Sequence, residues 1–110
     1  MDVSKDTEQK ISQLQMFEQS LSSFLGQKQQ FQMQLSEVES ALAELENTKK
    51  AYKIIGNIMV ESEKSELKAD IESKKEMLEL RIRTMEKQET QVREKASKLQ
   101  EEIMHNMKKE

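Results

Sequence analysis

The side chains that most often carry catalysis are nearly absent from this sequence. Its 110 residues include no cysteine and a single histidine, His105. The chain therefore offers no thiol nucleophile, no cysteine-bound zinc and little acid–base chemistry. It contains no phosphate-binding loop, no metal-ligand spacing and no nucleophile–base pair. We expect a protein that is not an enzyme, with no catalytic residue, metal or cofactor, and we interpret His105 as a solvated surface residue.

Charge and hydropathy narrow the classes of partner. The formal net charge is −3, with both signs interspersed along the chain. This pattern lacks the basic surface of a nucleic-acid-binding protein, so we expect no nucleic-acid partner. No apolar run is long enough to cross a bilayer, and the first residues lack the apolar segment of a signal peptide. We therefore expect a cytoplasmic protein without a membrane partner.

Methionine is the one side chain whose placement suggests a binding role. The chain has eight methionines, and four of them lie close to the two termini. The terminal apolar cluster consists of Met1, Val3, Ile11, Met16, Ile103, Met104 and Met107. Methionine is unbranched and adaptable, and methionine-rich surfaces bind varied apolar partners. The plainer interpretation is the last layer of a coiled coil together with a start methionine.

A seven-residue period organises the first half of the chain. One apolar series is Leu14, Leu21, Leu35 and Leu42, with Lys28 in the missing slot. A second series, three residues later, is Phe17, Phe24, Phe31, Val38 and Leu45. Two such series are the a and d positions of a heptad repeat, and so narrow an apolar seam is typical of a coiled coil. The pattern predicts a helix over about residues 8–48.

The second half repeats this pattern with two charged interruptions. One series is Ile71, Leu78, Met85, Val92 and Leu99. The other is Lys75, Ile82, Glu89, Ala96 and Ile103. Together they predict a second coiled-coil helix over about residues 65–107.

The segment between the helices changes character. Residues 51–60 read AYKIIGNIMV, with Gly56 and Asn57 at the centre of two apolar, β-branched runs. Glycine supplies the positive φ that a two-residue turn needs, so the segment predicts a β-hairpin over about residues 51–61. The alternative interpretation is an apolar loop that joins two helices.

A reversal of the chain between Gly56 and Asn57 makes the two seams complementary. It brings a positions opposite d positions, for instance Leu35 opposite Leu78, as an antiparallel coiled coil requires. It also places Lys28 and Glu89 in adjacent layers. These two side chains either form an interhelical ion pair that fixes the register or extend separately from the seam into solvent.

The hairpin also predicts assembly. A lone two-stranded hairpin is marginally stable in water, and its edges stay open. This one carries apolar side chains on both faces, so we expect it to pair with hairpins of other chains, most simply in a closed barrel.

Three stretches of the sequence resemble those of a known protein family. The heptad arm, the YK-x-x-G-N-x-x-V hairpin from Tyr52 to Val60 and the LELRIRTMEKQE stretch from Leu78 to Glu89 resemble the β-class subunits of prefoldin over essentially the whole chain. The resemblance implies a mainly α fold: a long antiparallel coiled-coil helical hairpin whose short central β-hairpin joins an oligomeric β-barrel. Residues 1–110 would form a single prefoldin-like domain.

The same resemblance implies function and partners. It implies an ATP-independent chaperone, a hexamer of two α-class and four β-class subunits. Its coiled-coil tips would bind unfolded client proteins and deliver them to a group II chaperonin. The implied assembly residues are Tyr52, Ile54, Ile55, Gly56, Asn57, Ile58 and Val60. The implied client-binding residues are Ile11, Leu14, Met16, Phe17, Ile103, Met104 and Met107. The alternative function is a structural coiled-coil adaptor or tether without chaperone activity.

Overall fold

Two helices and one β-hairpin make up the part of the chain that the structure describes. The computed structural model describes residues 4–109, so Met1 and Val3 of the terminal apolar cluster lie outside the described residues. In chain order the elements are α1 (Lys5–Glu46), β1 (Ala51–Ile55), β2 (Ile58–Ser62) and α2 (Lys64–Lys109). Both helices consist mainly of strong helix formers, and the sequence has no proline to interrupt them.

Local hydrogen bonds explain why α1 begins and ends earlier than the predicted range of 8–48. At its start, the backbone N–H of Thr7 donates to Oγ of Ser4 at 3.2 Å, which is the geometry of an N-cap. At its end, the hydroxyl of Thr48 donates to the carbonyl of Glu44 at 2.7 Å. The ammonium of Lys64 donates to the carbonyl of Glu46 at 3.1 Å. The carbonyl of Glu44 also accepts the backbone N–H of Asn47 at 3.2 Å, so these contacts close the last turn and supply partners for its terminal carbonyls.

The chain divides into two compact units, and each contains part of both helices. Unit 1 comprises Met1–Lys28 and Thr84–Glu110, and unit 2 comprises Gln29–Arg83. The prediction that residues 1–110 act as one domain stays a prediction.

In unit 1, the α1 and α2 segments run antiparallel. Lys10 contacts Glu102, and Lys28 contacts Glu89, so rising numbers on one helix meet falling numbers on the other. Every a and d residue predicted in this unit is buried or half-buried, and these residues are 14, 17, 21, 24 and 28 on α1 and 85, 89, 92, 96, 99 and 103 on α2. The predicted seam is therefore confirmed here, and of its two alternatives for Lys28 and Glu89 the ion pair is the one formed.

Unit 2 shows the same antiparallel packing beside the hairpin. Lys68 forms an ion pair with Glu46 at 3.1 Å, and the guanidinium of Arg81 lies 5.7 Å from the ring centroid of Phe31. This cation–π contact covers the edge of the seam. The predicted a and d residues of this unit are buried or half-buried as well, and these residues are 31, 35, 38, 42 and 45 on α1 and 71, 75, 78 and 82 on α2.

The hairpin reverses at Gly56 and Asn57, as the sequence predicts. The antiparallel register runs from Ala51 opposite Ser62 to Ile55 opposite Ile58, which leaves a two-residue turn. Gly56 has φ of 59°, and no other described residue has positive φ. A positive φ at the first central residue alone is the pattern of a II′ turn, whose twist matches that of the strands.

Candidate functional site

The largest group of exposed apolar side chains in the described chain is on the hairpin. We call it the hairpin surface, and it consists of Tyr52, Ile54, Ile55, Ile58, Met59 and Val60, which are between 43 and 70% exposed. Large apolar side chains gathered on a short element in this way mark a surface that another protein covers.

The register divides the hairpin surface between two faces. Directly paired residues share a face, and successive residues alternate. Ile55, Ile58 and Val60 therefore lie on one face, whereas Tyr52, Ile54 and Met59 lie on the other. Each face also carries one charge, Lys53 on the first and Glu61 on the second. Neither face is predominantly polar, so both expose apolar side chains to water in the isolated chain.

A groove extends the apolar surface from the hairpin to the helices of unit 2. It has a volume of about 840 Å³ and is lined by Tyr52 and Ile54 of β1 together with Leu45, Leu67 and Ile71 of the helices. Charged side chains of both signs, including Asp70 and Lys74, line it as well. The groove therefore combines apolar and charged side chains next to the hairpin surface.

The structure brings the predicted assembly residues together on one element. Gly56 and Asn57 form the turn, and the other five members of the set are exposed. The sequence-based set omits Met59, which lies opposite Ile54 and is as exposed as Ile58. Strict alternation along β2 is the signal that would have found it.

The predicted client-binding residues separate into two groups in unit 1. Ile103 is buried in the seam with 7% exposure, and Ile11, Leu14 and Phe17 are half-buried. Only Met16, Met104 and Met107 present large exposed areas, between 50 and 64%. We call these three the terminal methionines. Apart from Leu25, they are the only large apolar side chains that the structure shows exposed among the described residues of unit 1.

Ile103 is buried because it is one of the predicted seam positions of α2, and the seam on α1 continues beyond its last apolar layer through polar residues. Thr7 and Lys10 continue the two seven-residue series of α1, and Thr7 is fully buried. Lys10 lies 3.3 Å from Asp6 and 3.5 Å from Glu102, so it holds α1 against α2. Partial desolvation acts to lower the pKa of Lys10, but the carboxylates of Asp6 and Glu102 raise it above its usual value. His105 is exposed.

The described residues show neither a metal site nor a membrane span. Over residues 4–109, no three acidic, histidine or cysteine side chains come together as metal ligands would. Neither helix in that range has a stretch apolar enough, over a sufficient length, to cross a bilayer.

Comparisons with known proteins agree with this architecture. The family model described as "Prefoldin subunit" matches residues 8–110. The "Prefoldin subunit beta" of Pyrobaculum neutrophilum is 41% identical over 86 residues, which cover 76% of this chain and 68% of that protein. The protein of the same name from Methanospirillum hungatei is 34% identical over 104 residues, which cover 92% of this chain and 87% of the relative.

A solved structure extends the likeness to the fold. The crystal structure of the prefoldin beta subunit from Thermococcus strain KS-1 has a TM-score of 0.89 to this chain at 30% sequence identity, and the match covers 94% of each chain. The chain therefore belongs to the prefoldin subunit family, in its β class, whose members are chaperone subunits of hetero-oligomeric complexes.

Proposed function

We propose that this chain is a subunit of an ATP-independent chaperone that binds unfolded proteins through unit 1 and assembles through its hairpin. The complex is a heterohexamer of two α-class and four β-class subunits in the cytoplasm. It delivers its clients to a group II chaperonin. Residues 1–110 act as one prefoldin-like domain in this complex.

The observation that carries the proposal is the hairpin surface. Two five-residue strands with open edges and exposed apolar side chains on both faces are not a stable arrangement for a hairpin in water. Pairing with hairpins of other subunits closes the edges and covers both faces. Assembly through β1 and β2 therefore removes the largest unfavourable feature of the isolated chain.

The client-binding part of the proposal is supported by the terminal methionines. Three exposed, flexible thioether side chains adapt to apolar segments of many shapes. Each copy of this surface is small and binds weakly by itself. Several copies in one complex bind one client tightly, because every contact after the first is intramolecular. Binding of this kind needs no nucleotide.

A coiled-coil tether is the competing function, and the seams argue against it. A tether that dimerises through its heptads needs apolar a and d positions that are free to pair with another chain. In unit 1 and in unit 2, the a and d positions of α1 are already buried or half-buried against α2 of the same chain. The hairpin also exposes apolar side chains on both faces, a feature that a tether does not need.

Native mass spectrometry of the full chain, with and without an α-class partner, tests the assembly. We expect a heterohexamer of two partner chains and four copies of this chain. A plain homodimer in both samples would contradict the proposal and favour the tether.

Suppression of aggregation of a chemically unfolded test protein, measured without ATP, tests the chaperone activity. Handover is measured as recovery of the test protein's activity once a group II chaperonin and ATP are added. Deletion of residues 1–10 and 104–110 should abolish suppression while the oligomer size stays unchanged. Full protection by the truncated complex would place the client-binding surface elsewhere.

A further inference from the structure

We propose that the terminal methionines are a site of reversible oxidation that turns client binding off. This inference rests on the proposed function, because it gives the chemical nature and the regulation of the same client-binding surface. The oxidant is a peroxide, and the modified atoms are the thioether sulfurs of Met16, Met104 and Met107.

The exposed apolar surface of unit 1 consists mainly of methionine. Three of the four large apolar side chains exposed among its described residues are methionines, and the fourth is Leu25. Ile103 is buried, and Leu14 and Phe17 are half-buried in the seam. The apolar surface that unit 1 offers to a client thus consists mainly of thioethers.

The terminal methionines are accessible to an oxidant in solution. Met16, Met104 and Met107 are 64, 57 and 50% exposed, so a peroxide reaches these residues without any opening of the helices. The chain contains no cysteine. No thiol of this chain therefore competes for the oxidant, and methionine is its only sulfur-containing side chain.

The reaction is a two-electron oxygen transfer. A lone pair on the methionine sulfur attacks one oxygen of hydrogen peroxide, the O–O bond breaks, and the departing hydroxide takes the proton of the transferred hydroxyl, through solvent, to leave as water. The sulfur is oxidised to the sulfoxide, and the peroxide is reduced. The product is polar where the thioether was apolar, and it is restored by methionine sulfoxide reductases, one for each epimer, with a dithiol as reductant.

Met104 and Met107 are one helical turn apart on α2, so their oxidation changes one continuous patch. All three terminal methionines lie outside the a and d series, and the seam residues around them carry no exposed sulfur. Oxidation therefore removes the apolar client surface and leaves the packing of α1 against α2 in place.

Unit 2 supplies matched controls. Met33 and Met77 are 67 and 55% exposed on its helices and lie outside the hairpin surface. A peroxide reaches them as readily as it reaches the terminal methionines, but they are not part of the proposed client surface. Three assembled complexes with the α-class partner are compared: wild type, M33L/M77L, and M16L/M104L/M107L.

Each complex is treated with hydrogen peroxide, freed of oxidant with catalase, and assayed for suppression of aggregation against its own untreated sample. Peptide mass spectrometry measures the sulfoxide at every methionine. We expect the wild type and M33L/M77L to need at least about tenfold more complex for half-maximal suppression after oxidation, a change of about 1.4 kcal/mol. For M16L/M104L/M107L, the amount of complex needed for half-maximal suppression should change less than about twofold, because leucine is not oxidised. Treatment of the oxidised wild type with both reductases and dithiothreitol should restore suppression.

An equal loss in M16L/M104L/M107L and wild type would overturn the oxidation site while leaving the proposed function intact. So would unchanged suppression by a wild-type complex whose terminal methionines are fully converted to sulfoxides. Absence of suppression by the untreated wild-type complex would instead overturn the proposed function and, with it, the control of client binding by oxidation of the terminal methionines. Unchanged helicity by circular dichroism separates loss of binding from unfolding.

Discussion

Lys28 and Glu89 form an ion pair between α1 and α2 inside the apolar seam of unit 1. The ammonium of Lys28 lies 3.1 Å from Oε1 of Glu89 and donates a hydrogen bond to Oε2 at 3.3 Å. The side chains are 19 and 9% exposed, respectively. Oε1 is buried and has no partner in hydrogen-bond geometry among the described residues, although it is within ion-pair distance. A slip of one helix past the other would leave this carboxylate facing apolar side chains, so the pair favours a single register.

Replacing one partner of this pair should lower the free energy of unfolding more than replacing both. Lys28→Leu leaves the carboxylate of Glu89 in the seam, with only Arg93 nearby at 3.7 Å. We expect it to lower the free energy of unfolding by about 1–3 kcal/mol, as for other buried polar groups without a partner. Glu89→Leu should cost less, because Lys28 is more exposed and extends to solvent. K28L/E89L should be close to wild type.

Urea unfolding at fixed protomer concentration, followed by circular dichroism, measures all three variants. A double variant as unstable as K28L would show that the charges are not coupled through the seam.

Leu78 and Leu80 give a matched test of the seam in unit 2. Leu78 is 8% exposed at a d position, whereas Leu80, on the same helix, is 56% exposed. Leu78→Ala should destabilise the protein by about 2–4 kcal/mol, because it leaves a cavity in a packed layer. Leu80→Ala should change stability by less than about 0.5 kcal/mol. Equal effects in urea unfolding would contradict the packing of this layer.

A disulfide tests the antiparallel pairing directly. Cysteines introduced at Leu35 and Leu78 should cross-link within one chain under oxidation, because both positions lie in the seam of unit 2. Reducing and non-reducing gel electrophoresis distinguishes this product from a cross-linked dimer. Cross-links formed only between chains would mean that α2 does not fold back on α1 of the same chain.

The two glycines should respond to alanine in opposite directions. Gly56 has φ of 59° at the turn. Gly56→Ala should destabilise the protein by about 1–2 kcal/mol, because a Cβ is strained at this φ whatever the space around it. Gly26 lies inside α1, and no atom is within 4 Å of a Cβ added there. Gly26→Ala should therefore stabilise the protein by about 1 kcal/mol through helix propensity. Thermal and urea unfolding measure both changes, and destabilisation by Gly26→Ala would contradict the open helical site.

The seams and the turn were predictable because their signals are local. A seven-residue period fixes which side chains of one helix face the other, and it holds at Lys28, Lys75 and Glu89 even though these residues are charged. Likewise, Gly56 and Asn57 specify the turn, and the turn fixes every strand pair from Ala51 to Ser62. No long-range information was needed for either feature.

The exposed surface of unit 1 was less predictable, because Leu14, Phe17 and Ile103 were assigned both to the seam and to the client-binding set, and two further seam positions of α1 are polar. Thr7 and Lys10 continue the seam beyond its last apolar layer, and neither is recognised as a core residue by type. Ile103 belongs both to the predicted seam of the second helix and to the terminal apolar cluster, and its burial follows the seam. A polar residue that is buried through hydrogen bonds or an ion pair leaves no sign in hydropathy.

An ion pair at the end of α1 gives unit 2 a small pH dependence. The hydrogen bond and charge of Lys68, with the added charge of Lys64, hold the pKa of Glu46 below its usual value. Because the pKa is lowered on folding, this stabilisation is present above the pKa of the unfolded chain. It is lost as the pH falls through the lower pKa of the folded state. The pair is exposed, so the effect is small and decreases with salt.

Glu46→Gln should lower the melting temperature slightly near neutral pH, and the difference from wild type should vanish in acid. Glu39→Gln is the control, since no ion pair of Glu39 is present among the described residues. A difference between E46Q and wild type that persists unchanged at acidic pH would show that the charge of Glu46 is not its origin.

Charge placed on the hairpin should separate assembly from helix formation. Ile54 and Ile58 lie on opposite faces of the hairpin and are 70 and 65% exposed, so lysine at both positions strains nothing in the isolated chain. In the proposed barrel, I54K/I58K places an unpaired charge on each face that other subunits cover, where desolvation makes it costly. We therefore expect native mass spectrometry to show monomers while circular dichroism shows unchanged helicity. Met77→Lys adds charge at a site outside the hairpin that is 55% exposed, and it should leave the oligomer intact. A hexamer formed by I54K/I58K would mean that the subunits meet through another surface.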